Sequence, residues 1–135
     1  MSGPSLSKQD AHSSIHEAAL NEARDLRDLF RNCIEKDKEK ALQVAEITIE
    51  HWELRTLQHA EAEEKGLYKD LVEKNPALSD TVIQLTRDHD LMRRVVGKMK
   101  EMLLSDEANE QMLKLIDSLI IIDEIHNEDE MTKLL

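Results

Sequence analysis

The stretch VIQLTRDHDLMRRVVGKM, which runs from position 82 to position 99, decides the fold of this chain. Apolar side chains recur in it at intervals of three, four and seven residues, which is the spacing of one helical face and not the alternation of a strand. His89 stands in the middle of this face. The apolar members of the face are Val82, Leu85, Met92, Val96 and Met99. The stretch therefore predicts an amphipathic helix that directs an imidazole into the core.

Three further segments carry the same spacing, so that helices are predicted over residues 7–34, 40–73, 78–104 and 106–135. Ser7 is the predicted cap of the first helix, Asn75-Pro76 separates the second from the third, and a turn at Ser105 precedes the fourth. Short connections between long helices predict an all-α fold, an up-down-up-down antiparallel four-helix bundle. We expect one domain over residues 1–135, with residues 1–6 as a flexible N-terminus.

Composition excludes several classes of partner. The chain has 135 residues and a formal net charge of −11, which argues against binding to nucleic acid or to an anionic membrane surface. Its single cysteine, Cys33, allows no internal disulfide. The first residues lack the pattern of a signal peptide, and the apolar run at 119–122 is too short to span a bilayer. We expect a cytoplasmic protein; the sequence does not indicate an oligomeric state.

The informative feature is one histidine on the apolar face of each predicted helix: His16, His59, His89 and His126. A single buried histidine is commonly satisfied by a hydrogen bond. Four in one apolar core would leave several polar nitrogens without partners, because each neutral imidazole needs both a donor and an acceptor. A metal ion removes the problem, since each ligating nitrogen gives its lone pair to the ion.

Two glutamates complete the pattern. Glu63 follows His59 by four residues and Glu130 follows His126 by four, so each carboxylate lies on the same helical face as its histidine. A buried carboxylate without a cation is very costly. Two hairpins that each supply two histidines and one glutamate predict a two-metal site. Imidazole with carboxylate suits iron, manganese or zinc, and iron is our choice.

Other residues leave alternatives open. His12 lies one turn before His16 and is either a further or alternative ligand or a solvated histidine near a helix end. His51 is too far from His59 along the axis to share its metal. Glu64 is expected to face water, unless the helix is rotated so that it replaces Glu63.

Three more side chains are expected to lie outside the site. Asp123 either orients His126 or lies at the surface, and the surface is favoured. Tyr68 is expected to point away from His59, and Arg55 to extend into solvent. A ferritin-like site would need Glu-x-x-His on two helices, a pattern that this sequence lacks.

These motifs resemble those of the hemerythrin family, in particular its HHE cation-binding domains, over residues 16–134. The motifs are Ile15-His16-Glu17, His59-Ala-Glu-Ala-Glu63-Glu64 with Gly66-Leu67-Tyr68, Asp88-His89-Asp90, and His126-Asn-Glu-Asp-Glu130. The resemblance implies a bundle around two iron ions, a non-haem diiron centre with an oxo or hydroxo bridge. It also implies reaction with or binding of O₂, nitric oxide or peroxide.

The pattern departs from that of the oxygen-carrying hemerythrins, which the resemblance links to five histidines and two carboxylates. Arg93 stands four residues after His89 and Leu85 four before, where a further histidine would be needed. Six protein ligands leave more positions open to small molecules. This favours sensing, storage or detoxification over O₂ carriage and does not decide whether there is enzymatic turnover. The alternative is an interaction module in which metal binding controls bundle stability and partner binding.

Overall fold

The computed structural model describes residues 8–135, and every one of its regular elements in that range is helical. Two stretches are π-helical, Trp52–Leu57 after the second helix and Glu130–Leu134 after the last, and Pro76–Leu78 forms a short 3₁₀ turn. The α-helices are α1 (Lys8–Cys33), α2 (Lys38–His51), α3 (Gln58–Lys65), α4 (Leu67–Lys74), α5 (Ser79–Leu104) and α6 (Glu110–Asp129).

These elements form four antiparallel rods. The first rod is α1; the second runs from α2 through the π-helical stretch, α3 and α4; the third is α5; the fourth is α6 with its π-helical extension. α1 packs against α2 and α6, and α5 packs against the same two helices. The predicted all-α four-helix bundle is therefore confirmed. Between residues 8 and 135 no helix has the length and apolar character needed to cross a bilayer.

Side-chain caps set where the rods begin. Asp37 Oδ1 accepts a hydrogen bond from the Lys40 backbone N–H, and Asn109 Oδ1 accepts one from that of Met112. The predicted cap at Ser7 lies outside the described residues. The predicted start of the fourth helix at position 106 was wrong, because Asp106 adopts a φ of 55° and cannot continue a right-handed helix. The later start shortens the last helix by about 6 Å, which brings His126 to the level of the other histidines.

The second rod is not the single uninterrupted helix that the sequence predicted. Its π-helical turns at Trp52–Leu57 take an extra residue per turn, so the side chains that follow are rotated about the axis. A second interruption falls at Gly66, where φ is −117° and ψ is −85°. A Cβ at this glycine would lie 3.3 Å from the Ala62 carbonyl oxygen, so a larger residue would be crowded at this position. Both interruptions change which residues face the interior.

The apolar core occupies the half of the bundle nearest the α1–α2 and α5–α6 connections. Large apolar side chains fill it without exposure. Its fully buried large members are Phe30, Trp52, Met92, Met99, Met112, Ile116 and Leu119. This half packs as an ordinary helical bundle and holds the other half, which is polar, in register.

Leu119→Ala should lower the free energy of unfolding by about 2–5 kcal/mol, because Leu119 is 0% exposed and its removal leaves a cavity. The matched control is Ile121→Ala on the same helix, where the side chain is 54% exposed and the loss should be below about 1 kcal/mol. Urea denaturation of the metal-free proteins measures both. Equal losses would contradict the placement of this core.

Candidate metal centre

A polar layer crosses the other half of the bundle, and all four rods contribute to it. Five of the six side chains that the sequence predicted as ligands are buried there, and His59 is partly exposed, with 30% of its side chain accessible. The buried five are His16, Glu63, His89, His126 and Glu130. The structure therefore brings the six predicted residues together at one level.

The first cluster in this layer is formed by His12, His16, His59 and Glu63, whose potential ligand atoms all lie within 4.8 Å of one another. Glu63 Oε2 is the common neighbour: it lies 2.8 Å from His12 Nε2, 3.8 Å from His16 Nε2 and 3.5 Å from His59 Nε2. His12 joins the layer because it lies one turn before His16 on α1, and it also hydrogen-bonds Glu130. Its side chain is mostly buried, so His12 is not a solvated histidine at a helix end.

The second cluster is formed by Glu63, His89 and His126, again within 4.8 Å of one another. His89 Nε2 lies 3.5 Å from Glu63 Oε1 and 3.1 Å from His126 Nε2. His126 Nε2 is also 3.5 Å from Glu130 Oε2. Glu63 thus presents one carboxylate oxygen to each cluster.

Glu130 connects the clusters in the same way. Its Oε1 contacts His12 and lies 3.5 Å from His16 Nε2, whereas its Oε2 faces His126. Two carboxylates that each span two groups of imidazoles are the arrangement expected around a pair of cations. The two clusters share an edge made of carboxylate oxygens.

Buried polar atoms without partners show that this layer suits a metal. His16 Nε2, His59 Nε2 and both oxygens of Glu63 are buried without a hydrogen bond to any residue in the described part of the chain. Such atoms are costly to bury, and neutral imidazole with carboxylate is a donor set that binds first-row divalent metals. The residues present therefore fit metal cations of this class.

In the second cluster, the histidine Nδ1 atoms form hydrogen bonds with carboxylates. His89 Nδ1 donates to Glu64 Oε2 at 2.7 Å, and His126 Nδ1 donates to Asp88 Oδ2 at 2.9 Å. Arg93 Nη2 also donates to Glu64 Oε2, at 2.9 Å. The expectation that Glu64 faces water was wrong. It reaches across to α5, and sequence reasoning missed both it and Asp88 because these partners lie on different rods.

These bonds fix the orientation of both rings. With Nδ1 bonded to a carboxylate, both His89 and His126 turn Nε2 toward the interior of the layer. Neither His16 nor His59 makes such a bond to a residue between positions 8 and 135. The two clusters therefore differ in the support of their histidines.

Tyr68 lies inside the site, and the expectation that it points away from His59 was wrong. Its hydroxyl donates a hydrogen bond to Glu130 Oε2, and its ring stacks on His89 with centroids 5.7 Å apart. The break at Gly66 rotates α4 relative to α3, which a continuous helix could not do. Burial and the charges of Glu63 and Glu130 raise the pKa of Tyr68 far above its usual value, so it remains a donor.

Asp123 is buried, and its expected surface position was wrong. It is 1% exposed, and its Oδ1 has no hydrogen-bond partner among residues 8–135. Burial raises the pKa of Asp123 to about 6, although the charges of His16 and His126 oppose this. It lies three residues before His126 and so shares the inward face of α6. A sequence signal for this was the Asp123-x-x-His126 spacing.

The remaining candidates lie outside the layer, as expected. His51 Nε2 donates to the Ala19 backbone oxygen at 3.0 Å. Arg55 is 46% exposed and pairs with Glu22 through Nη1. Trp52 and Cys33 are buried in the apolar core.

In the absence of metal, protons balance the carboxylates. Burial lowers the pKa of His12, but hydrogen bonds to Glu130 and Glu63 outweigh burial and raise it to about 9. Burial likewise lowers the pKa of His126, and its contact with Glu130 raises it to about 9. Burial raises the pKa of Glu130, but bonds from His12 and His126 bring it down to about 2. Burial raises the pKa of Glu63, but its close contacts with His12, His16, His59 and His89 outweigh burial and hold that pKa well below its usual value.

Comparison with protein families shows that the sequence profile of the hemerythrin HHE cation-binding domain matches residues 11–135. No significant match was found among curated proteins or among solved structures.

The metal-free protein should lose stability as the pH rises from 6 to 9.5. A raised pKa stabilises the fold below the unfolded value, here 6.5, and that contribution is lost as the pH passes about 9, where His12 and His126 deprotonate. Glu130 has a lowered pKa, so its contribution is present above 4.5 and is lost only as the pH falls toward 2.

Urea unfolding in the presence of a chelator measures this, and the midpoint urea concentration should be lower at pH 9.5 than at pH 6. His12→Gln should reduce the difference. A midpoint that rises with pH in this window would contradict the assigned proton positions.

Asp88→Asn should weaken iron binding by about 10–100-fold, because the carboxylate that orients His126 is lost. Asp90→Asn is the control: it lies two residues away, is exposed, and pairs with Arg93 at the surface. Chelator competition on the iron-loaded proteins measures the affinities. Equal affinities for the two variants would show that the bond to His126 has no role in binding metal.

Proposed function

Because this chain belongs to the hemerythrin HHE cation-binding domain family, we propose that it holds two iron ions in its polar layer and binds or reacts with O₂, nitric oxide or peroxide. The family binds metal cations, and the histidine and glutamate clusters of this chain can hold them. We propose the number of iron ions, the small molecule that they bind and the residues that coordinate them.

We assign one ion to each cluster. His12, His16 and His59 would hold the first, and His89 and His126 the second. Glu63 and Glu130 would contribute to both. The six residues expected from the sequence are thereby retained, and His12 is added as a seventh because its Nε2 lies against both carboxylates.

The observation that carries the proposal is the position of Glu63. Glu63 is 4% exposed, and histidine nitrogens of both clusters lie within 3.8 Å of its carboxylate oxygens. A buried carboxylate in that position needs positive charge on both sides, which a protonated His12 supplies in part and two cations would supply more completely.

Iron, when bound, supplies open coordination positions and a change of oxidation state. The residues of the chain orient the histidines, hold protons and control access to the layer. Glu64 and Asp88 hold protons on Nδ1 of His89 and His126, which keeps the opposite nitrogens available. Tyr68 holds a proton against Glu130 and limits its rotation. The apolar core closes one side of the layer, and the partly exposed His59 lies on the side that small molecules can reach.

A second candidate function is an iron- or oxygen-responsive interaction module. It is favoured by the fact that all four rods contribute side chains to the polar layer, in which several buried polar atoms have no hydrogen-bond partner among the described residues. Metal binding would then stabilise the whole bundle, and loss of metal would loosen it. Cytoplasmic location remains a prediction from the sequence.

The protein purified from iron-replete expression should contain about two irons per chain and absorb visible light in its oxidised form. Glu63→Gln should reduce the content below one iron per chain, because both clusters lose a charged oxygen. Glu61→Gln is the matched control, since Glu61 is exposed and bonds only Lys65. Elemental analysis and absorption spectra measure these outcomes. Fewer than one iron per chain in the unaltered protein would overturn the proposal.

The response of the iron-loaded protein to small molecules distinguishes the two candidate functions. Iron should raise the melting temperature in either case, since it binds the folded state alone. If the ferrous protein binds nitric oxide or consumes peroxide, the first function holds. A large loss of stability on iron removal, with no spectral response to O₂, nitric oxide or peroxide, would instead support the interaction module.

A further inference from the structure

A small cavity opens beside the first cluster, on the side where α1 meets the π-helical turns of the second rod. Its volume is about 30 Å³. His16, His59 and Asp123 form its polar wall, and the exposed Ile15 and Arg55 stand at its mouth. A cavity needs roughly 10–15 Å³ to hold one water molecule, so this cavity has room for about two heavy atoms.

Asp123 gives this cavity its chemical character. It is almost fully buried, and its Oδ1 has no hydrogen-bond partner in the part of the chain that the structure describes. Leaving a buried carboxylate oxygen unpaired costs free energy that a hydrogen-bond donor recovers. Around the cavity, the described chain supplies no donor to this oxygen.

From this we propose that Asp123 is a specificity-determining residue that selects small ligands bearing an O–H group, and that hydrogen peroxide is preferred over nitric oxide or O₂. This rests on the proposed function, since the ligand would occupy the cavity beside an ion held by His16 and His59. Two heavy atoms fill the available volume, and among the three candidate molecules only peroxide carries hydrogens to donate.

The charge of Asp123 adds a second discrimination. An ionised carboxylate accepts a strong hydrogen bond from an O–H donor. It repels a bare anion in the same space, and that repulsion is strengthened away from bulk water. Asp123 thus favours a protonated ligand and disfavours an unprotonated one of similar size.

The test compares Asp123→Asn with the unaltered iron-loaded protein at pH 8. Three probes are added in turn: hydrogen peroxide and fluoride to the ferric form, and nitric oxide to the ferrous form, each followed by absorbance. Fluoride is a bare anion at this pH, and nitric oxide is neutral and carries no hydrogen.

The half-saturating peroxide concentration should rise at least about tenfold in Asp123→Asn, because the charged acceptor is lost. The fluoride dissociation constant should fall at least about tenfold, because the repulsion is removed and the amide donates. Nitric oxide affinity should change less than about threefold. Opposite shifts for peroxide and fluoride are not produced by a general loosening of the site.

Asp117→Asn on the same helix is the control, since Asp117 lies at the surface beside Arg27 and should alter none of the three affinities. Peroxide and fluoride affinities that both weaken, or that both stay constant, in Asp123→Asn would overturn the inference. Two irons per chain with either of those results would leave the proposed function standing. Fewer than one iron in the unaltered protein would instead remove the function itself.

A second variant covers a failure of Asp123→Asn to load iron. Ala19 lines the cavity, so Ala19→Leu should fill it and weaken both peroxide and fluoride binding while leaving the iron content unchanged. Another cavity, of about 40 Å³, lies beyond His16 against Asn127 and Glu130. Unchanged ligand affinities in Ala19→Leu would show that small molecules use another route and would overturn the role of Asp123.

Discussion

The burial of two carboxylates, Glu63 and Glu130, inside a ring of imidazoles is the constraint on which the rest of the structure depends. Removing a carboxylate from water costs several kcal/mol unless opposite charge surrounds it. Protons on His12 and His126 supply part of that charge in the metal-free chain. Cations would supply it more completely, because they also satisfy the nitrogens that have no hydrogen. The polar layer is stable only where positive charge is available.

The apolar half of the bundle makes such a layer possible. Residues such as Trp52, Met112 and Leu119 pack without exposure between the four rods. That packing helps to hold the four rods in register beside the polar layer. The layer can therefore carry unpartnered atoms that would be intolerable in a bundle whose whole core was polar. Structural and chemical roles are separated along the bundle axis.

Much of this site could be predicted from periodicity. The positions of His16, His89 and His126 follow from their place on apolar faces, and Glu63 and Glu130 follow from their spacing to histidine. Periodicity fails where the helix is irregular. Tyr68 enters the site only because Gly66 interrupts the second rod.

Contacts between rods also limit what can be predicted from the sequence. Glu64 and Asp88 support histidines on other rods, and Asp123 is buried by side chains of its neighbours. A single sequence does not show which carboxylate on one rod will hydrogen-bond which histidine on another rod. Helical spacing predicts the face of a residue, and only the packed structure shows its partner.

The unequal support of the histidines has a further consequence for a pair of bound ions. His89 and His126 are each tethered through Nδ1 to a carboxylate, whereas His16 and His59 have no such bond to a described residue, and His59 borders solvent. The ion beside them should therefore exchange faster than its neighbour. Mild chelation would then leave about half of the metal positions occupied, and a foreign cation would exchange first into the position beside His16 and His59. The two metal positions would therefore differ in exchange rate, although the sequence supplies each with a similar set of histidine and glutamate residues.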